Sequence, residues 1–508
     1  MVTSSTQHSD TTVLDLLAEA RIRARTSSRP VLVSVTERIA QVDPLQALDD
    51  AVRSHSWGDV LAEQAADRMY WSRPIDGIAL AGIGTVKAFA SGGPERFADL
   101  DRDWTALLDG ALISDASDGE PGGGPVLMGG CAFEPEGPTA PHWREFPSAL
   151  FTLPRLQLAA IRDVCWLTTT ILVAPDGTPD VDLALLGRLR DGVLNIEHAA
   201  HRTAPPTARD GTLAFSDALP VEEWRALVRE SVAAIRAGYL EKVVLARMEH
   251  AVAAQDVDVV AVLRYLRAVY ADCYVFGCWR GDAAFVGATP ERLAWLGAGE
   301  VRASSLAGSI RRGATPQEDI ALGAALLDSA KDRAEHALVR RALVDGLAAL
   351  CDDVAAPAEP SLVTLPNVHH LYTPVRGRLR AGGSLLDLVA RLHPTPAVGG
   401  VPREAALEFI RAHERLDRGW YAAPLGWIGR DGGELAVALR SALIRRDEAW
   451  LFAGCGIVAD SDPDREYAES LLKLRPMKLA LAAALAGDSA DTANVTAAAG
   501  ATAGAGAR

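Results

Sequence analysis

Two hydrophobic periods share this chain of 508 residues and divide it into elements. Short apolar runs bounded by turn residues predict strands over 31–35 and 166–173. Over 220–237 the period changes to that of a helix. Trp224, Leu227, Val228, Val232 and Ile235 share one face there, and Gly238 stops it. A meander follows: a strand over 242–248, then 274–279 and 283–287 about the Arg280-Gly281-Asp282 turn, then 292–296 and 301–306 about a turn at 297–299. One helix is predicted from 316 to 350, and strands near 421–429, 434–444 and 449–458 repeat the theme. Asp462-Pro463 offers an N-cap and first-turn proline for a last helix reaching about 485. Meanders broken by long helices argue for an α+β protein with antiparallel sheets, not a βαβ fold.

The ends are weaker in pattern. Residues 1–30 are polar and expected to be mobile, 31–214 form the N-terminal part of the fold, and 215–485 carry the site motifs described below. The Ala/Gly/Thr-rich tail 486–508 is expected to be disordered. The stretch over 115–125 has many glycines but lacks the Gly-Lys-Ser/Thr ending of a phosphate cradle, so it reads as an exposed loop.

Charge and cysteine usage narrow the class. A net charge of −15 argues against nucleic acid and anionic membrane surfaces as partners. A small anionic substrate remains compatible if a metal ion and a few cations dominate its site. The cysteines Cys131, Cys165, Cys273, Cys278, Cys351 and Cys455 form no C-x-x-C pair, which predicts reduced, buried thiols. No secretory pattern opens the chain and no apolar run reaches the ~18 residues of a membrane span, so a soluble, cytoplasmic protein is expected.

The chemistry concentrates in acids. Asp332 and Glu335 lie one helical turn apart, as do Glu466 and Glu469, and Lys473 continues the second series. Such pairs are either two solvated helix faces or, if buried together, a site that requires a cation. Oxygen donors without His or Cys favour Mg²⁺. Lys242 opens an apolar strand; its head either reaches water or is desolvated and able to act as a general base. Glu291 follows a Gly/Pro turn between apolar runs, where burial would keep it protonated as an acid.

These motifs occur in order. They are Lys242-Val243-Val244-Leu245-Ala246-Arg247, the 287–291 turn, Leu306-Ala307-Gly308-Ser309, and Ser329-Ala330-Lys331-Asp332 through His336. Asn367-Val368-His369-His370-Leu371, the run from His393 to Gly400, Gly454-Cys455-Gly456-Ile457-Val458, and Glu466 through Lys473 complete them. Together they resemble the chorismate-utilising enzymes over roughly 215–480. The resemblance implies a large single unit with a central antiparallel β-sandwich flanked by helices. It implies Glu335 and Glu469 as direct Mg²⁺ ligands, with Asp332 and Glu466 acting through water. Lys242 becomes the base that activates water and Glu291 the acid. Arg440, Gly454 and Lys473 match groups that bind the carboxylates of chorismate. Gly308, Ser309, His370, Ala397 and Tyr421 complete the expected substrate site.

Within that family, Ala307 stands where aminodeoxychorismate synthases carry a nucleophilic lysine, and Lys242 is absent from ammonia-using anthranilate synthases. Ala397 stands where salicylate synthases usually have Thr. The resemblance therefore implies an isochorismate synthase of the menaquinone-pathway type, a monomer needing no glutaminase subunit. Salicylate synthase, which also expels pyruvate, is the alternative, and either menaquinone or a siderophore could be the destination of the isochorismate. A catalytically silent chorismate-binding paralogue would have lost Lys242 or Glu291, and both are present. Three positions depart from the usual pattern: Cys455 for Ala, Thr289 for Ser, and Ala423 for Gly, the last of consequence only where positive φ is needed.

Overall fold

The computed structural model describes residues 3–53, 67–181, 183–184, 186–187, 190 and 212–486. The tail beyond Ala486, expected to be disordered, lies outside the described residues.

One series of antiparallel neighbours runs Val31–Ile39, Val164–Val173, Ala149–Ile161, Ile78–Ser91, Arg68–Arg73 and Tyr274–Arg280. It continues through Ala283–Thr289, Ser441–Arg445 and Glu448–Ile457 to Lys242–Ala253. A second series runs Leu127–Cys131, Pro424–Ile428, Gly433–Val437, Arg292–Gly297, Glu300–Arg311 and Val368–Leu379. The two meet at Ala149–Ile161, whose first residues also pair with Leu127–Cys131. Leu112–Asp115 adds a parallel neighbour to Val31–Ile39. Apolar side chains of both series share one core, in which Phe285 and Phe452 of the first lie with Leu425, Leu435 and Val375 of the second. This is the expected α+β sandwich.

Side-chain parity places each layer. Phe285 points into the inter-sheet core, while Val286 joins an outer cluster with Val262, Leu263 and Leu266 of the helix Val259–Val269. On Lys242–Ala253, Val243 and Leu245 pack outward on Trp224, Val228 and Val232 of the helix Val221–Arg236. Lys242, Val244 and Ala246 therefore face the space between the sheets. The paired strand Glu448–Ile457 does the same: Cys455 and Ile457 go outward, and Gly454 and Gly456, opposite Ala246 and Val244, go inward.

Three expectations are corrected. Most of the segment 1–30, expected to be weakly patterned and mobile, is a regular helix over Thr3–Ser27, and Val13, Leu17, Ala20 and Ala24, at spacings of three and four, are buried on one face. Its small alanines give little amphipathic signal, which is why the pattern reads as weak. The helix predicted over 316–350 is two, Pro316–Asp328 and Ala330–Ala348. Ser329 sits between them with φ −67° and ψ 111°, accepts from the Asp332 amide and so N-caps the second helix. The strand predicted over 434–444 is likewise two, Gly433–Val437 and Ser441–Arg445, parted at Arg440, which has φ +49°.

The docked helix makes a direct test. Leu17, 1 % exposed, should cost about 2–4 kcal/mol on truncation to Ala, seen as a lower melting temperature. A mobile segment would leave the melting temperature unchanged.

Candidate active site

A cavity between the sheets is lined by Lys242, Val244, Glu291, Gly308, Ser309, Glu335, His370, Ala397, Arg418, Tyr421, Arg440, Gly454, Gly456, Glu469 and Lys473. All the predicted site residues are thus brought to one place except Asp332 and Glu466, which are not among the lining residues. Lys242 is 1 % exposed, so its head does not reach solvent. Its ammonium lies 2.9 Å from Glu335. Gly456 makes room for this pair: a Cβ there would come within 2.3 Å of a Glu335 oxygen and 2.9 Å of Lys242 Cε.

The other wall is built on helix Pro463–Ala486. Glu469 and Lys473, one turn apart, pair at 2.6 Å, and Lys473 also donates to the Gly454 carbonyl at 2.8 Å. Glu466, 1 % exposed, pairs at 3.0 Å with Lys331 from the neighbouring helix. The acids are therefore not solvated helix faces. Burial and then the nearby Glu469 push the Glu466 carboxyl up to about 6. Burial also raises Asp332, whose carboxylate is held by Ser329 at the helix cap. Burial would raise Glu335 too, but the charge and hydrogen bond of Lys242, with Lys473 and Lys331, bring it below its ordinary value.

Glu291 differs from these acids. It is 3 % exposed, and burial outweighs the attraction of Lys242, Arg440 and Lys473, lifting its pKa to about 8. Its backbone is fixed: the Glu291 amide donates to Thr289 Oγ1, and the Glu291 carbonyl accepts from the Val437 amide at 3.0 Å. The Thr289 hydroxyl donates to the Val437 carbonyl at 2.6 Å, so Thr in place of Ser keeps the contact.

A β-bulge sets the third side. Register shifts between Ala307 and Ser309, and Gly308 takes φ +78°, so Ser309 comes opposite His370. Arg440 donates to His370 Nε2 at 3.1 Å, which leaves the proton on Nδ1, 2.9 Å from Ser309 Oγ. Burial, then the charges of Arg440 and Lys473, hold His370 well below its usual pKa, so it is neutral. Tyr421 stacks on Phe452 with centroids 5.4 Å apart, and burial pushes its phenol up to about 12. Positive φ falls at Ala422, 61°, and not at Ala423, so the departure from Gly there carries no strain. Cys455 points away from the cavity and donates to the Glu466 carbonyl.

Residues 16–482 match the family described as chorismate binding enzyme. The chain belongs to that family. It is 40% identical over 463 residues to the salicylate biosynthesis isochorismate synthase of Pseudomonas aeruginosa, covering 91% of this chain and 92% of that one. It is 34% identical over 466 residues to the isochorismate synthase MenF of Bacillus subtilis, covering 90% and 95%. Its fold is similar to that of the menaquinone-specific isochorismate synthase MenF of Escherichia coli, with a TM-score of 0.71 at 24% identity, covering 92% of this chain and all of that one.

Within this chorismate-binding chain, Gly456 and Arg418 are among the lining residues that the sequence motifs did not assign to the site. Gly456 was legible in principle, since two glycines in one strand signal a close approach. Arg418 was not, because its role depends on backbone carbonyls distant in sequence as well as on a near carboxylate. It forms a buried pair with Glu414 and donates to the carbonyls of Val244 and Val398, both at 2.8 Å.

The raised pKa of Glu291 fixes the sign of a stability effect. The unfolded carboxyl loses its proton near 4.5, whereas the folded one keeps it to about 8, so this group destabilises the fold increasingly between those values. Glu291→Gln should therefore melt higher than the wild type at pH 8, with the gap closing toward pH 4.5. An equal or lower melting temperature at pH 8 would mean the carboxyl is not held neutral.

Proposed function

We propose that this protein is an isochorismate synthase that interconverts chorismate and isochorismate. The reading rests on one observation above the others: a buried lysine and a carboxyl that stays protonated to about 8 line a single cavity. Lys242 has to part from Glu335 and act as the neutral amine: it takes a proton from water as the oxygen attacks ring carbon C2. Glu291 protonates the departing C4 hydroxyl, which leaves as water, and the ring double bonds shift between the two centres. Run backwards, acid and base exchange roles. Arg440 and Lys473 hold the substrate's carboxylates. Neutral His370 orients Arg440 and Ser309 without adding charge.

Glu335 and Glu469, with Asp332 and Glu466 one helical turn before them, are the residues to hold a divalent cation. All their donors are hard carboxylate oxygens, the set that Mg²⁺ prefers. Among the described residues no three acids, histidines or cysteines converge closely enough to grip an ion, since Glu335 and Glu469 lean on Lys242 and Lys473. Bound there, Mg²⁺ would neutralise the ring carboxylate and draw off developing charge.

Water being the nucleophile, no glutaminase partner is required, and chorismate is the only substrate besides water. The proposal takes the product as isochorismate because Ala397 presents only a methyl where salicylate synthases have Thr. The narrower menaquinone-type assignment draws on the 393–397 and 419–422 motifs, while the named relatives include both salicylate-biosynthesis and menaquinone enzymes. The proposal therefore ends at the reaction.

Purified protein given chorismate and Mg²⁺ should yield a product of unchanged mass and new retention. Early, abundant salicylate and pyruvate would promote the salicylate synthase reading. EDTA, Glu335→Gln or Glu469→Gln should each remove turnover, and full activity in EDTA would refute the metal role.

Lys242→Ala should reduce turnover by ~10²–10⁴-fold. In the forward direction the wild-type rate should fall as pH rises through about 8, where Glu291 loses its proton. Near wild-type turnover in Lys242→Ala would show that the base lies elsewhere.

A further inference from the structure

Helix Pro463–Ala486 contains a proline, Pro476, in its interior. A proline has no N–H, so the carbonyl four residues earlier, that of Leu472, loses its helical donor. In this fold the donor comes from outside the helix: Asn367 Nδ2 lies 3.1 Å from the Leu472 oxygen. Only the amide nitrogen can serve there, because a carbonyl accepts and never donates.

The two ends of this bond lie on elements that supply two different sides of the cavity, through His370 on one and Glu469 and Lys473 on the other. Leu472 adjoins Lys473 and is three residues past Glu469, the pair that meets Gly454 and the proposed cation site. Asn367 is at the tip of the hairpin joining Ser361–Thr364 to Val368–Leu379, where the Leu365 amide donates to the Val368 carbonyl. Three residues on, His370 meets Arg440 and Ser309. The tip is held from its far side as well, because Arg312 donates to the Leu365 carbonyl at 2.9 Å. A free carbonyl on one of these elements is thus filled by an anchored side chain from the other.

We infer that Asn367 is a positioning residue: with Pro476 opening its acceptor, it fixes the Glu469–Lys473 turn relative to His370 and Arg440. This rests on the proposed function, since the groups it aligns are those assigned to cation and carboxylate binding. Asn367 itself is not among the residues that line the cavity.

The helix itself supplies the discriminating experiment. Pro476→Ala restores an N–H that can bond the Leu472 carbonyl within the helix. The double variant Asn367→Ala/Pro476→Ala therefore satisfies the carbonyl but lacks the tie between the two elements. Asn367→Ala, and the donor-less Asn367→Asp, should raise the KM for chorismate roughly tenfold. The double variant should regain the wild-type melting temperature while its KM stays raised. Hydrogen exchange over 469–476 should also remain faster than in the wild type. If the double variant recovers both stability and KM, Asn367 only satisfies a carbonyl and the inference is overturned. An unchanged KM in folded Asn367→Ala or Asn367→Asp overturns it equally. A wild type that makes no isochorismate would instead refute the proposed function, and the exchange measurement would still decide whether the tie exists.

Discussion

Everything at the centre of this molecule depends on burying acids and lysines together between two sheets. A buried charge is tolerated only when paired and hydrogen-bonded. Here Lys242 meets Glu335, Lys473 meets Glu469, and Lys331 meets Glu466, at 2.9, 2.6 and 3.0 Å. Each pair joins different elements or successive turns, so the charges also fasten a strand to a helix, and one helix to the next. Glu291 is buried without an ion pair among the described residues, and burial keeps its proton on to about 8. One arrangement therefore yields ionised carboxylates suited to a cation and a neutral carboxyl suited to donating a proton. The division of labour follows from who is paired.

Regular structure carries these groups, and irregular backbone aims them. The parity of Lys242–Ala253 turns Lys242 inward while Val243 and Leu245 anchor the strand on helices behind it. The bulge at Gly308 and the left-handed turns at Ala422 and Arg440 interrupt regular backbone beside the cavity. Backbone strain of this kind persists where the surroundings over-determine it. Arg440 shows how: its break between two strands releases the guanidinium toward His370.

Much of this could be read from the sequence. Period-two patterning found the strands that carry Lys242 and Gly454, and the helical spacing of the acids found both helices that present them. The ordered motifs pointed to the family before any geometry was known. What stayed hidden was set by partners distant in sequence. Ser329 looks like one more helical residue until its cap with Asp332 is seen, and Arg418 acts through the Val244 carbonyl, more than a hundred residues away, as well as through nearer groups. The N-terminal helix was missed because half of its buried face, Ala20 and Ala24, is alanine, which adds little to an amphipathic signal. Whether Lys242 reached water or lay buried was open in the sequence and is settled by the second sheet closing over it.

The central claim is that the new hydroxyl comes from solvent water activated by Lys242, and not from migration of the substrate's own hydroxyl. Brief turnover of chorismate in ¹⁸O-labelled water, with the mass of the isochorismate read before equilibrium, tests it most directly. The account predicts one solvent oxygen in each isochorismate formed, located at C2. Unlabelled isochorismate would contradict it.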